Sequence, residues 1–348
     1  MKRDIRISNI KGLLIFLVVF GHLIAPYQEK FNAIYLFIYS FHMPLFVLIS
    51  GYLAKKASYN KIINLLLLYI IFQFLYQGYI TFIIPDHEFE LSVEEPYYHL
   101  WYLVSMALWS MLVIVYYKTK LRDIDRKLLV AVCFIIGITS KFITVYVVSW
   151  MQNLSPAFDS YTLSYQRTLS FLPFFFLGLL LTEEKLEFLY RCLKNKWIPV
   201  LIIPAVIAYF IFADDTNQEN ILKGSYAVDQ MKGSLLSTSG EILMGYLIAL
   251  IMCLVILNLI NNKRCIFTKW GDHSLSIFLF HIFITRYIKT FDNLNNISRL
   301  PLFALMSASA FIIVCVLSSD TFVNKTSFLS NPYQTIKSIF YKSSVLTH

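Results

Sequence analysis

The sequence IKGLLIFLVVFGHLIA, residues 10–25, indicates the fold class, because it is a nearly continuous apolar run of 16 residues, close to the length of a membrane-spanning helix. Such a helix needs about 20 mostly apolar residues, and similar runs recur along the whole chain. We therefore predict about ten membrane spans. They cover residues 10–25, 31–53, 62–84, 99–117, 128–150, 168–182, 198–213, 240–260, 274–291 and 302–319.

The amino-acid composition is typical of a polytopic membrane protein. Of the 348 residues, 57% are hydrophobic and only 15% are charged, whereas soluble proteins have about 25% charged residues. This composition excludes a soluble globular domain, a disordered chain and a basic nucleic-acid-binding protein. The expected fold class is all-α, a polytopic membrane helix bundle surrounded by membrane lipids.

The distribution of basic residues predicts the orientation of the bundle. The chain has 30 Lys and Arg against 21 Asp and Glu, a formal net charge of +9. About 22 of the basic residues fall in alternate loops, which the positive-inside rule places in the cytoplasm. Both termini are then cytoplasmic. These basic segments are residues 2–11, 55–61, 118–127, 185–196, 263–269 and 325–342, whereas the opposite loops contain the acidic residues Asp86, Glu88, Glu90, Glu94, Glu95, Asp214 and Asp215.

The sequence predicts one membrane domain, residues 1–320, followed by a cytoplasmic tail, residues 321–348. The first span is expected to be retained, because Pro26 follows Ala25 directly and no small-residue cleavage site is present. The five cysteines form no CxxC pair. We therefore expect neither a disulfide framework nor a thiolate metal site, and no metal in the mechanism.

Ionisable side chains inside a membrane span mark candidate functional sites. Lys11 and His22 are eleven residues apart, which places them within about 20° of the same helix face and about 16 Å apart along the axis. This spacing would suit a long ligand with an anionic head and a reactive tail, such as a coenzyme A thioester. Two simpler interpretations remain open, namely a histidine bonded to a neighbouring helix and a lysine that only anchors the cytoplasmic end.

His42 precedes Pro44 by two residues in the second predicted span. Proline removes a backbone donor and loosens a helix. The pattern has two interpretations of equal weight, a kink filled by a polar side chain and a histidine held at a break that opens onto a cavity.

Four further polar or aromatic residues lie in or beside the predicted spans. His281 is about two turns into a helix that begins near residue 274, and by itself it favours a structural role. Trp101 is most simply an interfacial anchor, whereas Arg167 could extend outward or reach into a cavity toward an anionic substrate group. Lys141 lies in the middle of a span without an obvious partner, which indicates pairing within the bundle.

Taken together, these segments resemble the integral-membrane acyltransferase 3 family, which includes sugar O-acetyltransferases of bacterial envelope polysaccharides. The first-helix signature of that family is Arg or Lys, ten residues, then His, and here it is read by Lys11 and His22. The matching segments are IKG at 10–12 leading to VVFGH at 18–22, FHMPLF at 41–46 with SGY at 50–52, HLWYL at 99–103, LPFF at 172–175 with Gly178, and SL at 274–275 leading to His281.

The resemblance implies transfer of an acetyl group from acetyl-CoA, as acyl-donor co-substrate, to a sugar hydroxyl. The acceptor would be a cell-envelope polysaccharide, such as a capsule, O-antigen or exopolysaccharide, or its lipid-linked precursor, at the bacterial inner membrane. His22 would act as general base or as nucleophile, and Lys11 would hold the anionic part of the coenzyme. The expected acceptor-site residues are His42, Arg167, His281 and Trp101.

A transporter or flippase of lipid-linked saccharides is the alternative function. Intramembrane histidines and a proline-containing helix also fit a substrate pathway, but the sequence shows no pseudo-symmetric halves. Many family members carry an additional hydrolase-like domain, and this chain is expected to be of the stand-alone type. The acetylated sugar, the side of the membrane on which transfer occurs and the oligomeric state are left open by the sequence.

Overall fold

A computed structural model describes residues 4–84, 92–155, 158–159, 161–192, 195, 197–212, 215–225 and 230–338. Throughout these residues the chain is all-helical and contains no β-strand, which confirms the predicted class. The α-helices are, in chain order, α1 (Ile5–Ile24), α2 (Gln28–Leu53), α3 (Tyr59–Ile83), α4 (Trp101–Lys118), α5 (Arg126–Gln152), α6 (Tyr165–Leu180), α7 (Glu183–Cys192), α8 (Trp197–Phe212), α9 (Asp215–Lys223), α10 (Leu235–Leu259), α11 (Ile266–Asp272), α12 (Ser274–Lys289), α13 (Arg299–Leu317) and α14 (Asp320–Ser330).

The protein is a multi-pass membrane protein. Within the described ranges, six helical stretches are long and apolar enough to cross a membrane, and the first of them contains both α1 and α2. Every predicted span overlaps one helix, although α6, α8 and α12 have 16 residues each, fewer than the roughly 20 that a bilayer requires. The six stretches are Ile5–Lys56, Tyr59–Ile83, Tyr98–Lys118, Arg126–Gln152, Leu235–Leu259 and Arg299–Leu317.

Four short helices, α7, α9, α11 and α14, lie in segments that the sequence assigned to loops or to the tail. They are too short or too polar to be recognised as apolar runs. The first of them, α7, is strongly amphipathic and begins with Glu183 and Glu184. Of the predicted tail, residues 339–348 lie outside the described residues, as do Asp86, Glu88, Glu90 and Asp214.

Two glycines let α1 and α11 cross at very short distance. A Cβ atom on Gly12 would lie 1.9 Å from the Phe267 carbonyl oxygen, and one on Gly271 would lie 1.8 Å from the Ser8 carbonyl oxygen. Small residues allow such close backbone packing inside membranes, where the hydrophobic effect does not drive helix association.

The Asn9 side chain adds polar contacts at the same crossing. Its Nδ2 donates to the carbonyls of Asn261 at 3.1 Å and Lys263 at 2.9 Å, and its Oδ1 accepts from Thr268 Oγ1 at 2.5 Å. Because Asn9 is almost fully buried, these bonds fix the rotation of α1 about its axis. That rotation determines which way Lys11 and His22 face.

A second glycine crossing joins α2 to α6. A Cβ atom on Gly51 would lie 2.0 Å from the Phe175 carbonyl oxygen, and one on Gly178 would lie 1.8 Å from the Leu48 carbonyl oxygen. The crossing holds together two helices that carry candidate site residues, α2 with His42 and α6 with Arg167.

We expect Gly178→Ala to destabilise the protein, because the added methyl group must push two backbones apart. Overpacking of this kind costs about 1–3 kcal/mol, which a thermal unfolding experiment in detergent should show as a lower midpoint. Gly78→Ala is the matched control, because nothing lies within 4 Å of a Cβ atom there and alanine favours a helix. Equal midpoints for the two variants would contradict the assigned crossing.

Candidate functional site

A cavity of about 240 Å³ lies between α1, α2, α4 and α6, and it is closed by residues of α9 and α12. Its walls are mainly aromatic, with several histidines and two cationic side chains among them. The lining residues are Ile15, Val18, His22, Ala25, Tyr35, Tyr39, His42, Met43, Phe46, Tyr98, His99, Trp101, Tyr102, Arg167, Phe171, Leu222, Lys223 and Phe278.

Helix α1 brings His22 to the cavity from one stripe of its surface. Ile15, Val18 and His22 recur at helical spacing, and all three line the cavity. The helix is continuous from Ile5 to Ile24, so Lys11 lies on the same stripe, one turn before Ile15. Lys11 itself is not among the lining residues. The predicted register is therefore present, but the cavity ends before it reaches the lysine.

Helices α1 and α12 and the 3-10 turn Tyr98–Leu100 before α4 bring three histidines together at this cavity. The ring centroid of His22 is 5.3 Å from that of His281 and 6.2 Å from that of His99. The remaining pair, His99 and His281, is separated by 4.8 Å. The structure thus places His281 against His22. His281 is fully buried and does not line the cavity itself, so it lies behind His22.

Hydrogen bonds to the backbone set the tautomer of His281. Its Nδ1 lies 2.9 Å from the carbonyl oxygens of both Ile277 and Phe278, and a carbonyl oxygen can only accept. Nδ1 therefore carries the proton and Nε2 is an acceptor. This Nε2 is buried and has no hydrogen-bond partner among the described residues, so it can accept a hydrogen bond from a group such as His22.

His99 completes the cluster; its position near a helix end made it an ionisable candidate in the sequence, without an assigned role. Its Nε2 lies 3.4 Å from the hydroxyl oxygen of Tyr76, and this hydroxyl donates its proton to the carbonyl oxygen of Leu279. The ring of Phe278 packs edge-on against His99, with centroids 4.5 Å apart. The motif HLWYL drew attention to this region, but a single sequence cannot show which helix its histidine faces.

His42 lines the cavity from α2 and is held in the same way as His281. Its Nδ1 donates to the Ile38 carbonyl oxygen at 2.8 Å, so its Nε2 is the acceptor. The helix remains continuous at Pro44, and within α2 the residue with non-helical backbone angles is Phe31. The structure therefore shows a histidine on a cavity wall without a break at the proline, whose fixed φ is compatible with a helix.

Arg167 and Trp101 lie next to each other in the cavity. The Arg167 guanidinium carbon is 5.4 Å from the Trp101 ring centroid, within cation–π distance, and its Nη2 donates to Ser225 Oγ at 3.3 Å. The ring of Phe171 stacks on the Trp101 indole, with ring centroids 5.5 Å apart. Of the two roles predicted for Arg167, reaching into a cavity is the one that the structure shows.

The cavity also contains a cation that the sequence did not single out. Lys223 of α9 lines it and forms an ion pair with Glu219. No aspartate or glutamate is present among the described lining residues. The walls thus carry histidines, aromatic rings and two cations, which suits an aromatic-stacked, polar or anionic ligand.

Comparison with known proteins assigns the chain to a family. A family model described as an acyltransferase domain, Acyl_transf_3, matches residues 4–319. Nodulation protein NolL of Sinorhizobium fredii (strain NBRC 101917 / NGR234) is 49% identical over 59 residues, which are 15% of this chain and 16% of that protein.

The match to NolL is local, so the chain aligns with only a small part of that relative's length. No solved structure matches the chain. The family model, in contrast, includes the helices α1, α2, α4, α6 and α12 that form the cavity. The chain therefore belongs to the acyltransferase 3 family, and it is a multi-pass membrane protein.

Proposed function

We propose that this acyltransferase moves an acetyl group from acetyl-CoA to a hydroxyl group of a saccharide. The saccharide is a bacterial cell-envelope polysaccharide, such as a capsule, O-antigen or exopolysaccharide, or its lipid-linked precursor, and the enzyme resides in the cytoplasmic membrane. The observation that carries this proposal is the position of His22, which lines an aromatic cavity, contacts His281 and shares a helix stripe with Lys11.

The proposed orientation brings the two substrates from opposite sides of the membrane. We propose ten spans with both termini in the cytoplasm, so the Lys11 end of α1 faces the cytoplasm and the His22 end faces the opposite side. The cavity is lined by Tyr98, Arg167 and Lys223. All three lie in segments, between the predicted spans, that we assign to the extracytoplasmic side. The coenzyme would then approach from the cytoplasm, and the saccharide would enter the cavity from outside.

The chemistry needs a base next to the attacking hydroxyl. His22 accepts the proton of the sugar hydroxyl while the hydroxyl oxygen attacks the thioester carbonyl carbon. The C–S bond then breaks, and the proton is returned to the sulfur, so the products are the sugar O-acetyl ester and free coenzyme A. In the alternative, His22 attacks the carbonyl carbon, the C–S bond breaks and coenzyme A leaves, so that an acyl-imidazole remains. The sugar hydroxyl then attacks this acyl group, which gives the ester and free His22.

The base also needs an orienting partner. In many enzymes a carboxylate accepts a hydrogen bond from the ring nitrogen of the histidine that does not act as the base. No described carboxylate lines this cavity. We assign this role to His281, because its Nδ1 donates to backbone carbonyls and its Nε2, beside His22, accepts no hydrogen bond from the described residues. His281 is thus a positioning residue, placed behind the cavity wall.

The remaining predicted residues would shape the acceptor site. Trp101 offers a flat ring on which a sugar face can pack, and Arg167 lies over that ring with donor groups. His42 lines the cavity from α2, and its Nε2 is the acceptor nitrogen of the ring. Lys11 would hold the coenzyme's phosphates as a point charge.

The test is an NMR comparison of the envelope polysaccharide from cells with and without the protein. We expect O-acetyl signals to be lost in its absence and to return when the wild-type protein is restored. A flippase would instead change the amount of exported polysaccharide and leave the number of acetyl groups per sugar constant. That second pattern would contradict the proposal.

A further inference from the structure

A second, smaller cavity adjoins the first and contains a buried lysine. It has a volume of about 30 Å³, and Tyr39, Phe171 and Leu222 line both cavities. Lys141 of α5 lines the smaller one, with a side chain that is 1% exposed. We name this space the Lys141 pocket; Ser40 and Tyr246 also line it.

The Nζ of Lys141 has no hydrogen-bond partner among the described residues, although several hydroxyl-bearing residues line the same pocket. Three neighbouring hydroxyl groups donate their protons to backbone carbonyls: Ser40 to Phe37 at 2.7 Å, Ser170 to Gly224 at 3.2 Å and Tyr246 to Ser170 at 2.8 Å. No carboxylate lines the pocket in the described part of the chain. An ammonium group in the middle of a membrane span is costly unless an anion or several acceptors compensate it.

We infer that the saccharide acceptor is acidic and that its carboxylate binds in the Lys141 pocket, an inference that rests on the proposed function. A water needs roughly 10–15 Å³ of such space, so the pocket of about 30 Å³ has room for two oxygen-sized groups. A carboxylate supplies two oxygens and one negative charge, which match the space and the single ammonium. A phosphate group carries more oxygens than the pocket can hold.

The charges of the larger cavity agree with an anionic sugar. Arg167 and Lys223 line it, and with Lys141 they place three cationic side chains around one aromatic chamber. Glu219 pairs with Lys223, whereas no carboxylate is described in the pocket of Lys141. A uronic acid could stack its ring in the larger cavity and extend its carboxylate into the Lys141 pocket.

Equilibrium binding to the purified protein in nanodiscs tests this inference without relying on catalysis. The probes are p-nitrophenyl glucuronide, p-nitrophenyl glucoside, p-nitrophenyl glucuronide methyl ester and p-nitrophenyl glucoside 6-phosphate. We expect the wild type to bind the glucuronide about 10- to 100-fold more tightly than the glucoside or the methyl ester, as a hydrogen bond to a charged group would produce. Similar binding of the glucuronide, the glucoside and the methyl ester would overturn the inference. Tighter binding of the 6-phosphate than of the glucuronide would overturn it as well, in favour of a phosphoryl ligand.

The variant Lys141→Met removes the ammonium and keeps a side chain of similar length. The preference for the glucuronide over the glucoside should fall by about 10-fold or more, whereas Lys127→Met, at the exposed start of the same helix, should keep the wild-type ratio. An unchanged ratio in Lys141→Met would contradict the assignment. If that variant does not fold, the wild-type comparison of the glucuronide with its methyl ester still decides.

The outcome also separates this inference from the proposed function. Selective binding of the glucuronide without acetyl transfer from acetyl-CoA would support the carboxylate site and contradict the proposed function. Acetylation of saccharides without a preference for the acidic probe would support the proposed function and contradict the Lys141 pocket as a carboxylate site.

Discussion

The variant His22→Ala is expected to lose acetyl transfer by about 10²- to 10⁴-fold, the range that a positioned general base contributes. If His22 is the nucleophile instead, the loss is at least as large, because no covalent intermediate can form. His22 lines the cavity beside His99 and contacts His281. The measurement is the rate of transfer of labelled acetyl from acetyl-CoA in membranes that contain equal amounts of each protein.

The matched control for this prediction is His273→Ala. His273 directly follows α11, with its Nε2 3.7 Å from Asp320, and it is not among the residues that line the cavity. Transfer at the wild-type rate is expected in this control. A wild-type rate in His22→Ala at a normal protein level would show that the base is assigned wrongly.

The variant Lys11→Ala is expected to raise the apparent Michaelis constant for acetyl-CoA by about 10- to 100-fold. A charge-assisted contact with a phosphate has a free energy of about 1.5–3 kcal/mol, and its loss weakens binding of the coenzyme before chemistry begins. The Michaelis constant for the saccharide should stay constant, because Lys11 lies one turn beyond the cavity that would hold it. Steady-state kinetics with each substrate varied in turn gives both constants.

Two further variants sharpen the result for Lys11. Lys11→Arg should keep the coenzyme constant near its wild-type value, since a guanidinium also binds phosphate. Lys56→Ala, which removes an exposed lysine, should leave both constants unchanged. If only the acceptor constant moved in Lys11→Ala, the coenzyme role of Lys11 would be wrong.

Sequence patterns predicted the helices well because each apolar run satisfies its own backbone hydrogen bonds inside a membrane. The register of Lys11 and His22 was predictable for the same reason, since both lie on one continuous helix. His42, Arg167 and Trp101, which come from three other segments, do line one cavity with His22.

The structure adds what depends on contacts between helices. His99 meets His281 only because α4 packs near α12, and no periodicity along either segment indicates that pair. Lys141 had no visible partner in the sequence, and its pocket is formed by side chains of distant helices. Short helices such as α11 were missed because seven residues are too few for an apolar period to be recognised.

The most direct test of the central claim is an in vitro transfer experiment observed by NMR. Purified protein in nanodiscs is incubated with acetyl-CoA carrying ¹³C in the acetyl carbonyl and with polysaccharide from cells that lack the protein. We predict a ¹³C ester signal on the saccharide, an equal amount of released coenzyme A, and loss of both with His22→Ala. Absence of the ester signal with wild-type protein, or its formation at the same rate by His22→Ala, would contradict the account.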